Sequence, residues 1–225
     1  SPLVLAVAPR ELGGKAVGPT AVSPSLAEQE KDDAARIANL VGADHRFVGS
    51  HEIDRPLYAA NGPDRCFHCK SELYDIARDK AREWQLAAIA NGTNTDDLGD
   101  YRPGLEAARA AGVRSPLVEV GMNKADVRAV ARLMGLPIWD KPAAACLSSR
   151  IPYGTSVTRE RLAQVGNLEA ALKALGFRQV RVRWHDKIAR IEIALDELPT
   201  LLAAGNRERI VEAGRPEGFT YVTLD

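Results

Sequence analysis

Apolar positions along the first two thirds of the chain alternate between two periods. Within 25–41 (SLAEQEKDDAARIANLV), Ala34, Ile37, Ala38 and Val41 fall three and four apart, the spacing of one helix face. Leu73, Ile76, Ala77 and Ala81 do the same within 71–84. The segment 123–134 (NKADVRAVARLM) reads as another helix, with Asn123 to cap it and Gly135 to stop it. Residues 1–11 (SPLVLAVAPRE) read as a helix with Pro2 in its first turn, and 105–111 as a further one. Between these lie short apolar runs. The runs 16–23 (AVGPTAVS), 45–48 (HRFV) and 86–90 (LAAIA) read as buried strands, 115–118 as an edge strand or loop, and 52–61 as a short helix or loop. Strands alternating with helices of about a dozen residues predict parallel βαβ units. The expected fold is therefore α/β, with a doubly wound, mostly parallel sheet. Ligands of such sheets bind beyond the carboxyl ends of the strands, which puts Val22, Ser23 and 92–97 at the expected site.

After Pro142 the pattern changes. Residues 158–175 form one long helical segment. Then 179–184 (QVRVRW) and 189–194 (ARIEIA) alternate apolar and polar residues with period two, which predicts a hairpin with one wet face. Two short helices, 196–203 and 207–214, and a terminal strand in FTYVTLD complete a smaller α+β domain. The expected division is 1–145 and 146–225. Both ends read as cut: Ser1 enters a helix at once, and FTYVTLD stops with its strand, so residues are expected on either side.

Composition narrows the function classes. The 225 residues carry 30 Lys and Arg against 30 Asp and Glu, so no net charge pulls the chain toward nucleic acid. No apolar run approaches the roughly 20 residues of a membrane span, and no signal-like segment opens the chain. Three cysteines, an odd number, with nothing to suggest secretion, fit a reducing cytoplasm with thiols available for metal or catalysis.

Two of those cysteines, Cys66 and Cys69, form a C-x-x-C in RCFHCK, and the third, Cys146, lies in AAACLSSRIPYG. A C-x-x-C serves as half a zinc site, a dithiol redox pair, part of an iron–sulfur site, or a surface pair with no ligand. The four histidines show no H-x-x-x-H spacing, so no histidine-based zinc site is expected. Gly92 and Thr93 open GTNTDD after an apolar run. A glycine admits close approach of a ligand, and Asp96 and Asp97 could orient a nucleotide or hold Mg²⁺. The competing reading is an ordinary strand-to-helix turn whose acids favour the helix dipole. Arg181 and Arg183, two apart on one strand, share a face that suits a phosphate or carboxylate, unless that face is merely solvated. Arg150, close to Cys146, can lower a thiol pKa; the alternative for Cys146 is a small buried hydrophobe.

The run from NGTNTDDLGDYRPG through GMNKADVRAVARLMGLPIWDKPAAACLSSRIPYG resembles the LarE family of ATP-dependent sulfurtransferases, in the PP-loop pyrophosphatase superfamily. RCFHCKSELY upstream and FRQVRVRWHDKIARIEI downstream resemble it too. The family opens with an SGGVDS phosphate loop that this sequence lacks; PLVLAVA looks like the helix after it, and Ser1 like its last serine. The resemblance implies that ATP adenylylates a carboxylate of pyridinium-3,5-biscarboxylic acid mononucleotide. Sulfur then displaces AMP to give a thiocarboxylate, for the nickel-pincer cofactor of lactate racemase. It implies a nucleotide-binding first domain and a substrate-binding, oligomerising second one, in a homohexamer. It puts Val22 and Ser23 near adenine or ribose, and Ser1, Gly92, Thr93 and Asp97 near the phosphates and Mg²⁺. Ser149, Arg150, Arg181 and Arg183 fall to the substrate, and Glu169 to a divalent metal. Two sulfur sources occur in the family: a cysteine matching Cys146 that gives up its own sulfur, or a [4Fe–4S] cluster on three cysteines. Cys66, Cys69 and Cys146 supply the second set, which is the expectation here. Two other readings stand beside it. A tRNA thiolase also combines a PP-loop with three cysteines, but zero net charge, DYRPG and CLSSRIPYG argue against it. A non-enzymatic nucleotide-binding or metal-sensing module without its phosphate loop is the third reading.

Overall fold

The computed structural model describes residues 1–99, 102–142 and 144–225. Asp100 and Tyr101 of the DYRPG motif, and Ala143, lie outside the described residues. The chain is a mixed α/β protein that divides into two compact units. The first comprises 1–23, 30–58 and 63–141; the second comprises 142–225 with two short segments from earlier in the chain, 24–29 and 59–62.

The first unit begins with helix α1 (Pro2–Leu12), strand β1 (Val17–Val22), helix α2 (Glu28–Val41) and strand β2 (Asp44–Gly49). β1 and β2 pair in parallel from Val17↔Asp44 to Val22↔Gly49, as the βαβ pattern predicts. A short helix α3 (Pro56–Ala59) leads to α4 (Arg65–Glu83), then α5 (Pro103–Ala110), α6 (Pro116–Glu119) and α7 (Lys124–Leu133). Two small cores hold these helices. Ala6 of α1 packs with Ala131 of α7 and Leu136 beyond it, and Tyr74 of α4 packs with Ala107 and Ala108 of α5. The cap expected for α7 is present as a full capping box: Asn123 accepts from the Asp126 amide, and Asp126 accepts from the Asn123 amide.

Three expectations change here. Helix α4 starts at Arg65, not at 71, so the whole C-x-x-C is helical. The reason is packing: Phe67 joins the cluster around Tyr74, seven residues on and therefore on the same face. The run 86–90 is not a strand. Its sheet-like bonding is a single parallel bridge, Ala90↔Arg114, flanked by the Arg114 amide on the Ile89 carbonyl and the Asn91 amide on the Arg114 carbonyl. An apolar run can occupy a strand position, but only backbone pairing makes it one. The stretch 115–118 becomes helical because Pro116 at the first turn brings a preset φ and no amide to satisfy.

In the second unit, helix α8 (Arg159–Ala174) precedes strands β3 (Val180–His185) and β4 (Ile188–Ile193), helices α9 (Leu198–Leu202) and α10 (Asn206–Gly214), and strand β5 (Tyr221–Leu224). β3 and β4 form the expected antiparallel hairpin, and β5 adds to β4 in parallel. Leu162, Val165, Leu168 and Leu172 of α8 are fully buried, together with Val182, Ala189 and Ile191 from the sheet's apolar face. Each such buried leucine, valine or isoleucine contributes about 1.5–3 kcal/mol relative to exposure. The other face carries Arg181, Arg183, Arg190 and Glu192, as period-two alternation requires. Among the described residues, no helix is long and apolar enough to cross a membrane.

Candidate functional site

The first unit gathers expected residues at two places. At the carboxyl ends of β1 and β2, the Ser50 amide donates to the Val22 carbonyl at 3.0 Å, which extends the pairing by one residue. Glu52 sits just beyond, only 2% exposed. Its carboxylate accepts from Ser23 Oγ at 2.5 Å and from Ser50 Oγ at 2.6 Å. Glu52 thus fixes the hydroxyl of Ser23, a role nothing in the local sequence signalled. Glu72, also buried, accepts the His51 amide at 2.6 Å and meets Arg55 Nε at 3.0 Å. A buried carboxylate is costly without such partners.

The turn 91–97 is tied together by its own short side chains. Asn91 Oδ1 accepts the Thr93 amide and the Ser115 hydroxyl, Asn94 Oδ1 accepts the Asp96 amide, and Asp97 Oδ2 accepts the Asn94 amide. Asp97 Oδ1 meets Arg102 at 2.6 Å, so its carboxylate is already engaged. Ser1 lies directly against Gly92: a Cβ built there would come within 2.0 Å of Ser1 Cβ, so only glycine permits the approach. The structure therefore brings Ser1 and Gly92 together. A Cβ at Gly104 would also press on Lys70 Cγ at 2.9 Å. That packing sets the start of α5 against the first turns of α4, which carry the C-x-x-C.

Cys66 is exposed and Cys69 half-buried, three apart on one face of α4. Cys146 is exposed in the second unit, and none of the three is in a disulfide. Among the described residues, no three His, Cys, Asp or Glu side chains are grouped as a metal ion would require.

In the second unit, Cys146 caps a tight turn, Leu147–Arg150. Arg150 lies under this turn with its side chain 7% exposed. Its Nε and Nη2 donate to the two oxygens of Glu169 at 2.7 and 3.1 Å. Its Nη1 donates to the Ala145 carbonyl, the Ser149 hydroxyl and, at 3.4 Å, the Cys146 carbonyl. Here the donors of Arg150 are spent inside the protein, fixing the backbone that presents Cys146. Glu169, expected near a divalent metal, instead pairs with Arg150 and accepts the Val182 amide at 2.9 Å. Ser149 Oγ donates to the Cys146 carbonyl at 2.8 Å. Buried Asn61 completes the support, donating to the carbonyls of Ile151, Pro152 and Thr155.

Arg183 forks onto Glu192, Nε to Oε1 at 2.7 Å and Nη2 to Oε2 at 2.9 Å, while its Nη1 donates to the Ser149 carbonyl. The hydrogen bonds raise the pKa of Arg183 and, in spite of partial burial, lower that of Glu192. Arg181 stands 4.0 Å from the same carboxylate. The sequence pointed to Arg181 and Arg183 by their shared face. Glu192 and Arg190 share that face as well, and ARIEI carried the same alternation.

No family model matches the chain. Three curated proteins are similar to it. An uncharacterized protein of Synechocystis sp. is 45% identical over 225 residues, all of this chain and 84% of that protein. The pyridinium-3,5-bisthiocarboxylic acid mononucleotide synthase of Lactiplantibacillus plantarum is 38% identical over 226 residues, again all of this chain and 81% of the synthase. An uncharacterized protein of Methanocaldococcus jannaschii is 28% identical over 165 residues, 73% of this chain and 64% of that protein.

Proposed function

The chain belongs to the LarE family, and from that premise we propose that it transfers sulfur to pyridinium-3,5-biscarboxylic acid mononucleotide at the expense of ATP. A carboxylate oxygen of the substrate attacks the α-phosphorus of ATP, and pyrophosphate leaves. The acyl-adenylate then loses AMP to a sulfur nucleophile, and a thiocarboxylate forms. The first step converts a poor leaving group into a good one; the second exploits the nucleophilicity of ionised sulfur.

The observation that carries this reading is the setting of Cys146. Its thiol is exposed on a turn whose backbone is held by Arg150 and Ser149. A group whose chemistry needs placement thus stands open on a rigid support. Val22 and Ser23 take the adenine or ribose, and Ser1, Gly92 and Thr93 the phosphates. Mg²⁺ arrives with ATP as part of the substrate, and Asp97 is the carboxylate to meet it, which requires it to exchange Arg102. Ser149, Arg181 and Arg183 serve the mononucleotide, with Arg150 behind them. The enzyme works as a homohexamer in this reading.

Cys66, Cys69 and Cys146 would hold a [4Fe–4S] cluster, and their donor chemistry fits, since thiolates are the usual ligands of such iron and none of the three is in a disulfide. A cluster held by three thiolates would supply one iron without a protein ligand, open to an exogenous sulfide. A second reading is favoured by the exposure of the Cys146 thiol. In it Cys146 Sγ attacks the acyl carbon and AMP leaves. Elimination of the Cα proton then breaks the Cβ–S bond, leaving dehydroalanine on the protein and the thiocarboxylate on the product.

The test is to incubate anaerobically purified full-length protein with ATP and the mononucleotide, following pyrophosphate and product mass. Substrate-dependent pyrophosphate release with a thiocarboxylate product is expected. No release, or release without sulfur incorporation, would sink the reading. The mass of Cys146 after turnover separates the two sulfur sources: unchanged for the cluster, lighter by H₂S for the sacrificial route.

A further inference from the structure

The polar face of the β3–β4–β5 sheet carries more positive charge than the two arginines the sequence offered. Arg183 and Arg190 are register partners, directly opposite each other across the antiparallel pair. Like charges so placed repel, and a fold that keeps them needs a reason. Glu192 offsets part of the repulsion, 2.7 Å from Arg183 Nε, 3.5 Å from Arg190 Nη2 and 4.0 Å from Arg181 Nη1. Asp225 adds a second carboxylate, 3.6 Å from Arg190 Nε. Three guanidiniums therefore share two carboxylates, and the face keeps a cationic surplus.

The donors are unevenly spent. Arg183 has spent its fork on Glu192 and given its third nitrogen to the Ser149 carbonyl. The Arg190 side chain makes no hydrogen bond of ordinary length to a described residue, and its buried Nε, with Asp225 3.6 Å away, has no hydrogen-bond partner. Such a donor is costly to leave unmade. Among the described residues, Arg181 meets the distant edge of Glu192. Thr223, the register partner of Arg190 in β5, puts an exposed hydroxyl on the same face.

We propose that Arg190 is a ligand for the phosphate monoester of the substrate, acting with Arg181 across the Arg183–Glu192 fork. This deepens the reading above and rests on it, since it takes the substrate to be a mononucleotide. A phosphate monoester presents three terminal oxygens and up to two charges, which two guanidinium forks can divide. Arg183 then serves the site mainly by holding Glu192 and Ser149 in place.

Calorimetric titration of the full chain with ribose 5-phosphate tests it, with ribose as the phosphate-free control. The wild type should bind the phosphate ester and not ribose. Arg190→Gln should weaken binding by roughly 10- to 100-fold, the loss of one charge-assisted contact, and Arg190→Lys by less. Glu192→Gln should tighten binding several-fold, because the carboxylate competes with the ligand; misfolding cannot mimic a gain. If Arg190→Gln binds like the wild type while Arg181→Gln does not, the role of Arg190 is overturned and the mononucleotide reading stands. If the wild type binds neither ribose 5-phosphate nor the pyridinium mononucleotide, both fall together.

Discussion

Two arginine–carboxylate forks in the second unit have the same chemistry and opposite settings. Arg150 and Glu169 have side chains 7% and 4% exposed, and the arginine's remaining donors go to the backbone and hydroxyl around Cys146. Arg183 and Glu192 are 26% and 25% exposed, and two further arginines stand at the edges of the same carboxylate. The first pair is closed. Its charges have left water, and only complete mutual satisfaction makes that tolerable. The second is open. Its partners can exchange at little cost, because water screens the charges meanwhile. A closed fork suits a residue that must not move, such as the support of an exposed thiol. An open fork with surplus cations suits a place where an anion comes and goes.

Breaking the closed fork should give the largest effect. Arg150→Ala leaves Glu169 buried without its guanidinium, with the Val182 amide as its remaining partner among the described residues, and should cost about 3–5 kcal/mol in urea unfolding. A loss under about 1 kcal/mol would mean that the pair is not buried in solution. A milder change sharpens the comparison. Arg150→Met with Glu169→Leu removes both charges and keeps apolar volume. Stability should then fall by only about 1–3 kcal/mol, mainly for the orphaned Val182 amide. Sulfur transfer should nevertheless be lost, since the carbonyls of Ala145 and Cys146 lose their common donor. A double variant as active as wild type would show that the closed fork is a stabilising device only.

How far the sequence could anticipate this depends on the range of the interaction. The hairpin β3–β4 and its wet face were legible, because alternation in QVRVRW and ARIEIA is a local signal. So was the Asn123 cap. The partner of Arg150 was not: Glu169 lies 19 residues away, and only the packing of α8 beside the turn brings them together. The hold of Glu52 on Ser23, 29 residues apart, was hidden for the same reason. Helix α4 was read too short, because its first turns carry the cysteines and local propensity could not weigh the tertiary packing of Phe67. The run 86–90 shows the converse, a strand-like sequence whose pairing in this structure amounts to one bridge.

The open fork should give the smallest effect on stability, and pH tells it apart from the closed one. Glu192→Gln should change unfolding stability by about 1 kcal/mol or less, as expected for a part-exposed pair. Hydrogen bonding from Arg183 and the charges of Arg183, Arg181 and Arg190 hold the Glu192 carboxyl below its ordinary pKa of 4.5, against the opposing effect of burial. A carboxylate whose pKa is depressed on folding stabilises the protein fully above its unfolded pKa. That contribution fades as the pH falls through the lower, folded value. The difference between wild type and Glu192→Gln should therefore be flat from neutral pH down to about 4.5, then shrink toward zero in more acid solution. A difference that grew on acidification would require a raised pKa for Glu192, and with it a different set of neighbours from the three arginines on this face. A flat difference throughout would mean that Glu192 titrates alike folded and unfolded, so that Arg183 does not hold it and has donors of its own to offer the phosphate.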